Sequence, residues 1–130
     1  MTEVASTARG GRDDQDRPAS FPARGGLAGW QVRRVEELAK SGLGSLTVAR
    51  MAAEARLSLF WFVRAFGVSV GEPPGRWLTR MRVERARILL ETSDMPIGEI
   101  ARTVGYRGAP QLSRAFRRRI GVSPLHYRRR

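Results

Sequence analysis

The sequence predicts an all-α fold in which two similar helix-turn-helix units are joined by a long linker helix, with about seven helices in all. Three observations lead to this fold class. From Leu27 onward the apolar residues recur at intervals of three and four, which is the spacing of amphipathic helices. No segment alternates apolar and polar residues over the length of a strand. The third observation is a pattern of apolar, glycine and proline positions that occurs twice.

The first three helices follow from apolar spacing and capping residues. The first helix ends at Gly42, and its apolar stripe consists of Trp30, Val32, Val35, Leu38 and Ala39. Thr47 is a suitable N-cap for a short helix over residues 48–55. Ser58 is a suitable N-cap for a third helix over residues 59–68.

Proline and glycine residues divide the second half of the chain. The long linker helix spans residues 74–91, because proline is tolerated in the first turn of a helix. A fifth helix occupies residues 96–104, and a sixth spans residues 109–120 and stops at Gly121. Ser123 then caps a last short helix.

The repeated pattern has ten positions in each copy. The first copy comprises Val48, Met51, Ala52, Leu57, Phe62, Arg64, Phe66, Gly71, Pro74 and Trp77. The second comprises Ile97, Ile100, Ala101, Tyr106, Leu112, Arg114, Phe116, Gly121, Pro124 and Tyr127. Two helices joined by a short turn, with a small residue near their crossing, form a helix-turn-helix, whose second helix enters the major groove of DNA. We interpret the two copies as a duplicated unit of this kind.

Composition narrows the class of protein. The chain has 130 residues, no cysteine and a formal net charge of +12, from 24 basic and 12 acidic side chains. The lack of cysteine excludes disulfides, thiolate metal sites and cysteine nucleophiles, and no apolar run reaches the ~18–20 residues of a membrane span. The positive charge indicates a polyanionic partner, with nucleic acid as first choice and an anionic membrane surface as second. We expect a cytoplasmic protein.

The charge is distributed unevenly along the chain. Residues 1–26 carry equal numbers of acids and bases and are rich in glycine, proline and polar residues, which predicts a disordered tail. After Glu99 the sequence has nine arginines and no acid, which predicts a basic surface. Beyond the tail, we expect a first helix-turn-helix unit at 27–72, a linker helix at 73–91 and a second unit at 92–130.

Two stretches of the second copy resemble the DNA-binding domain of AraC/XylS-type transcriptional regulators. They read MPIGEIARTVGY at 95–106 and LSRAFRRRIGVSPLHYR at 112–128, and RVERARILL at 82–90 is similar to the family's linker helix. The resemblance covers residues 29–129 and implies a transcription factor whose two units bind successive major-groove segments. Because no part of this sequence resembles the family's sensory or dimerisation domain, we expect either a stand-alone member or a fragment or truncated copy of a longer regulator.

In the first unit the resemblance implies base contacts from the outer face of the third helix. Leu59, Phe62 and Phe66 are spaced to face the core. The outer positions, to which the base contacts are carried over, are Phe60, Trp61, Val63 and Arg64. Packing of the two aromatic side chains against other helices is the alternative.

In the second unit the sixth helix has the corresponding role. Leu112 and Phe116 point inward, and the implied base-contacting residues are Ala109, Gln111 and Arg114. Glutamine suits adenine and arginine suits guanine or a phosphate. Phosphate contacts are expected for Arg107, Arg117 and Arg118, with an ordinary solvated helix face as the alternative.

No catalytic, metal or cofactor site is predicted, since His126 is the sole histidine and the acids are scattered without metal-ligand spacing. Double-stranded DNA, bound by a monomer, is the expected partner, RNA polymerase is a second candidate, and no membrane partner is expected. The linker helix of ~18 residues would be ~27 Å long, against ~34 Å between successive major-groove faces. The alternatives are a non-specific nucleic-acid-binding protein and an interaction module with an exposed Phe60–Trp61 patch.

Overall fold

A computed structural model describes residues 25–130 and confirms the all-α fold over that range. These residues form seven α-helices and one short 3₁₀ turn, with no strand among them. The helices are α1 Gly29–Gly42, α2 Val48–Glu54, α3 Leu59–Val70, α4 Pro74–Thr92, α5 Ile97–Val104, α6 Ala109–Ile120 and α7 Pro124–Arg129, and the 3₁₀ turn is Leu43–Ser45. No helix of the described part has the length and apolar character needed to cross a membrane.

The packing divides the described residues into two compact units. The first contains the residues up to Gly42 together with Leu46–Trp77, and the second contains Leu43–Ser45 together with Leu78–Arg130. The helix boundaries agree with the expected ones to within a few residues at each end. Apart from Gly25 and Gly26, the predicted disordered tail lies outside the described residues, and the expected subdomain boundaries stay a prediction.

In the first unit, α3 is held by its apolar face and by local caps. Phe62, Ala65 and Phe66 of α3 are all at most 2% exposed. The backbone N–H of Trp61 donates to Ser58 Oγ at 3.2 Å, so the predicted N-cap of α3 is confirmed. The predicted cap of α2 is confirmed in the same way, by a 3.0 Å bond from Arg50 N to Thr47 Oγ1.

One prediction about the core of the first unit is wrong. Leu59 was expected to face inward but is 53% exposed. The buried stripe of α3 is centred on Phe62, Ala65 and Phe66, and Leu59 lies at its edge in the first turn, with no preceding helical turn to pack beside.

A buried glutamine joins α1 to the end of α2. Gln31 is 1% exposed; its Nε2 donates to Ala55 O at 2.8 Å and its Oε1 accepts the Ala28 N–H at 2.7 Å. Both polar ends of the side chain are therefore satisfied, which is the condition for burying an amide.

In the second unit, one apolar core joins α4, α5 and α6. Its fully buried members are Val83, Ala86, Leu90, Ile100, Ala101, Val104, Leu112 and Phe116. Val83, in the middle of the linker helix, is 1% exposed and so belongs to this core. The inward positions predicted for α6, Leu112 and Phe116, are confirmed at 0% exposure.

The two helix-turn-helix turns have corresponding backbone geometry. Arg56 follows α2 with φ +61°, and Gly105, at the matching position of the second copy, follows α5 with φ +112°. A positive φ at this position directs the chain into the next helix. In the first copy the residue with positive φ is not a glycine but Arg56, which carries a side chain. Its guanidinium lies 5.9 Å from the centre of the Trp30 ring.

Candidate nucleic-acid interface

In the first unit, α3 presents an exposed apolar face crossed by one arginine. Phe60, Trp61 and Val63 are 62%, 40% and 38% exposed, and Arg64 is exposed as well. The Phe60 and Trp61 rings are in edge contact with centroids 5.3 Å apart. All four residues predicted to contact bases therefore lie on one solvent-facing surface, which we call the α3 face.

Arg64 is held against these rings. Its guanidinium carbon lies 5.5 Å from the Phe60 ring centre and 5.9 Å from the Trp61 ring centre. Such cation–π contacts restrict the side chain without using its hydrogen-bond donors. Arg64 forms no ion pair in the described part of the chain, so its donors remain available to a ligand.

Other cations of the first unit are used within the protein. Arg34 binds Glu54 at 2.7 Å and Glu37 at 3.2 Å, and Arg50 lies 3.5 Å from the second oxygen of Glu54. The hydrogen bond from Arg34 is the main reason why the pKa of Glu54 lies below its ordinary value. The Arg34–Glu54 pair connects α1 to α2, and together the three ion pairs engage two of the unit's arginines within the protein.

In the second unit, an open polar pocket brings together three of the predicted residues. Arg107, Gln111 and Arg114 all line it, and so do Arg102 and the backbone at Gly44. Arg102, Arg107 and Arg114 are exposed and form no ion pair within residues 25–130. Three unneutralised guanidinium groups around one concave surface form an anion-binding arrangement.

Two residues of this pocket, Arg102 and Gly44, were not predicted as site residues. Arg102 is on the last turn of α5. Its place in the run of arginines without acids after Glu99 was the sequence signal that could have identified it. Gly44 had no such signal, because it comes from the 3₁₀ turn far away in sequence. A Cβ at Gly44 would lie 2.6 Å from the carbonyl oxygen of Thr103, so only glycine permits this approach.

The remaining predicted residues of α6 lie outside the pocket lining. Ala109 is half-buried in the first turn, next to the exposed Pro110. Arg117 and Arg118 are exposed in the last turn together with Arg119. Basic side chains in the last turn also favour the helix through its dipole, so their position is compatible with either a phosphate contact or a solvated face.

The turn before α6 rests on an arginine from α4. A Cβ at Gly105 would lie 2.6 Å from Arg82 Nε and 2.8 Å from its Cζ. The same guanidinium lies 5.8 Å from the centre of the Tyr106 ring. Burial lowers the pKa of Arg82 and raises that of Tyr106. The position of this turn, and of the pocket residues beside it, is thus determined partly by α4.

Not every arginine of the C-terminal basic run is available to a ligand. The Arg128 guanidinium donates to three backbone carbonyls, those of Met95 at 2.7 Å, Ser93 at 3.0 Å and Leu90 at 3.4 Å. It therefore acts as a clamp on the α4–α5 connection. The basic surface predicted after Glu99 therefore does not include the Arg128 guanidinium.

The described residues include no group of three or more side chains suited to hold a metal ion. His126 is exposed, and its backbone N–H donates to Ser123 Oγ as part of the cap of α7. The groups that the described residues offer to a ligand are apolar side chains, an amide and guanidinium groups.

A family model described as "Helix-turn-helix domain" matches residues 51–130. The chain belongs to the AraC-type helix-turn-helix family. This family consists of transcriptional regulators, and the resemblance inferred from the sequence is confirmed.

Similar proteins include regulators from several bacteria. The HTH-type transcriptional regulator Rv1931c of Mycobacterium tuberculosis is 38% identical over 86 residues, covering 66% of this chain and 33% of the relative. A putative AraC-like transcription regulator of Streptomyces antibioticus is 32% identical over 111 residues, covering 79% of this chain and 37% of the relative. The chain thus spans about a third of the length of these relatives.

Solved structures agree with the fold. The DNA-binding domain of AdpA, solved in complex with a target DNA, has a TM-score of 0.71 and 36% identity, covering 75% of this chain and 88% of that chain. The C-terminal domain of AraT, a response regulator from Geobacillus stearothermophilus, has a TM-score of 0.71 and 32% identity, covering 82% and 88%. Both align with nearly their whole length, so the similarity extends beyond a single helical hairpin.

Proposed function

We propose that this chain is the DNA-binding part of a transcriptional regulator and binds double-stranded DNA sequence-specifically, with α3 and α6 in successive major-groove segments. The observation that carries the proposal is the α3 face. Folding leaves Phe60, Trp61 and Val63 exposed to water next to an arginine that has no ion pair among the described residues. An apolar surface of this kind favours a partner, and a helix of this diameter fits the major groove.

The α3 face provides the chemistry for base recognition. We assign Arg64 to guanine, whose O6 and N7 accept a bidentate guanidinium. Phe60, Trp61 and Val63 are assigned to apolar contacts, for which the methyl group of thymine is the partner that the major groove offers. Stacking of Arg64 on the two rings orders it before binding, which reduces the entropy lost on contact.

The second unit provides most of the attraction to the DNA backbone. It contains 13 basic and 4 acidic residues, against 7 and 4 in the first unit from residue 25 onward. We assign Arg102 and Arg107 to phosphate contacts at the open polar pocket, with Arg117 and Arg118 as further phosphate partners. Gln111 is assigned to adenine, Arg114 to guanine or phosphate, and Ala109 to apolar contact with a base.

Binding to matched DNA tests this proposal. A duplex selected by the protein from a random library is compared with a scrambled duplex of the same composition over a series of salt concentrations. We expect the selected duplex to bind at least ~10³-fold more tightly at physiological salt. Equal affinities with the same salt dependence would instead identify a non-specific nucleic-acid-binding protein.

Substitutions separate the two assigned roles. Arg102→Gln is expected to weaken binding to both duplexes equally and to reduce the slope of log K against log salt by about 0.9. Arg129→Gln, at an exposed position away from the pocket, is the matched control and is expected to have a smaller effect. An unchanged slope for Arg102→Gln would remove Arg102 from the interface.

The proposal extends to the setting of the protein. We propose that it acts in the bacterial cytoplasm on the nucleoid, without catalysis or cofactor, and binds DNA as a monomer. RNA polymerase is the proposed protein partner. If the α3 face instead binds protein, Trp61→Ala would abolish capture of that protein and leave the affinity for the selected duplex unchanged.

A further inference from the structure

The first unit contains an apolar pocket away from the α3 face. Its volume is about 230 Å³. Within the described part of the chain, six apolar side chains line it, contributed by the segment before α1 and by α1, α3 and the first turn of α4: Leu27, Val32, Val35, Phe66, Val70 and Trp77. Val70 is 39% exposed and Trp77 is half-buried, so the pocket is open to solvent on one side.

The aromatic wall of the pocket is well defined. Phe66 and Trp77 are in edge-to-face contact, with centroids 5.5 Å apart and planes at 68°. Phe66 is itself only 2% exposed, which fixes its ring by core packing. Tryptophan is the best of the aromatic side chains at attracting a cation to its ring face.

The polar groups at this pocket favour a positive ligand. Ser69 Oγ accepts the Leu27 N–H at 2.7 Å, and the other polar lining residue is Glu36. Glu36 is exposed and forms no ion pair in the described residues, whereas its neighbour Glu37 is paired with Arg34 at 3.2 Å. Among residues 25–130 no basic side chain lines this pocket, although the chain carries a net charge of +12.

We propose that this pocket binds a small organic cation with an aromatic or branched aliphatic body. The apolar walls bury the body, while Glu36 and Trp77 attract the cationic head. At the packing density of protein interiors the pocket holds about ten to twelve non-hydrogen atoms, which is below the size of drug-like ligands. A ligand of this size is expected to bind with a dissociation constant on the order of 1 mM.

Three probes of similar size test the preference for positive charge. Benzyltrimethylammonium, phenylacetamide and phenylacetate are titrated into the full chain labelled with ¹⁵N, and amide and indole signals are followed by NMR. We expect saturable shifts for the cation that map to Trp77, Val70 and Ser69. The neutral probe is expected to bind several-fold more weakly and the anion not to bind detectably.

Two substitutions test the site itself. Glu36→Gln is expected to weaken binding of the cation about two- to fivefold, as for loss of an exposed ion pair. Glu37→Gln, on the same helix and already paired with Arg34, is the matched control and is expected to leave the affinity unchanged. Val70→Lys places a positive charge at the rim, at the end of a helix where lysine is tolerated, and is expected to abolish cation binding without lowering the melting temperature.

Several results would overturn the proposal. They are equal binding of the cation and the anion, shifts that map to residues outside the pocket, or an affinity that is the same in the Glu36→Gln chain as in the unmodified one. The probes contain no phosphate, and the NMR measurement does not involve DNA. A failure of this proposal can therefore be distinguished from a failure of the proposed DNA binding.

Discussion

Replacing Gly105 by alanine is expected to destabilise the second unit through two separable effects. The first is backbone strain, because φ at Gly105 is +112°, a region that residues with a Cβ rarely adopt. The second is steric, because the new Cβ would lie 2.6 Å from Arg82 Nε, 2.8 Å from Cζ and 3.0 Å from one terminal nitrogen. The guanidinium would have to leave its position against Tyr106.

Gly121 provides a matched reference for the strain alone. It ends α6 at φ +103°, and a Cβ there would meet no atom of residues 25–130 within 4 Å. Strain costs roughly 1–2 kcal/mol, partly offset by the smaller entropy of the unfolded chain with alanine. We therefore expect Gly121→Ala to cost about 1 kcal/mol of unfolding free energy. Gly105→Ala is expected to cost about 1–2 kcal/mol more, because a packed side chain must move.

A double-mutant cycle in urea, followed by far-UV circular dichroism, measures the steric part. In an Arg82→Ala background the cost of Gly105→Ala is expected to fall to that of Gly121→Ala, which gives a coupling free energy of about 1–2 kcal/mol. The reasoning would be refuted by equal costs at Gly105 and Gly121, or by a cost at Gly105 that does not depend on Arg82.

Three further predictions concern specificity, the α4–α5 connection and pH. Arg64→Ala is expected to weaken binding to the selected duplex by about 10- to 100-fold, corresponding to ~1–3 kcal/mol, with little change on scrambled DNA, as measured by fluorescence anisotropy. Arg128→Ala is expected to lower the unfolding free energy by about 2–3 kcal/mol in urea titrations, because three backbone carbonyls lose a charged donor. The depressed pKa of Glu54 contributes stability above its ordinary value of 4.5, and this stability is lost as the pH falls through the lower, folded-state pKa. Thermal unfolding between pH 7 and pH 3 is therefore expected to show a smaller loss of stability for Glu54→Gln than for the unmodified chain.

Each of these predictions has a control or a contradicting result. An equal loss on both duplexes would make Arg64 a phosphate contact. Arg129→Ala, at an exposed position next to Arg128, is expected to change stability by less than about 0.5 kcal/mol. For the pH series, identical profiles of the Glu54→Gln and unmodified chains would show that the pair with Arg34 does not contribute.

Helix positions and caps could be predicted because their causes are local. Thr47 and Ser58 bond to backbone groups three residues later, and the apolar spacing of α6 is independent of what covers it. The family was recognisable for a related reason, since its signature is a series of nearby residue types that each serve one local turn or contact.

The arrangement of the proposed binding groups could be predicted only in part. The exposure of the four residues of the α3 face could be predicted, because outward positions of a helix follow from its period. The open polar pocket could not be predicted, because it also depends on Gly44, whose approach to Thr103 is determined by packing. Charge counting alone also could not distinguish Arg128, which is used inside the protein, from the arginines that face solvent.

The amino-acid sequence was sufficient for the fold class, the duplication, the family and the order of the helices, all of which depend on residues close together in the chain. The tertiary structure decided which polar and apolar groups are used within the protein and which remain available. Gln31 is buried although it is polar, because Ala55, which lies far away in sequence, accepts a hydrogen bond from its side chain. The physical reason is that hydrogen bonds and burial depend on three-dimensional proximity, whereas helix periodicity and capping depend on sequence separation.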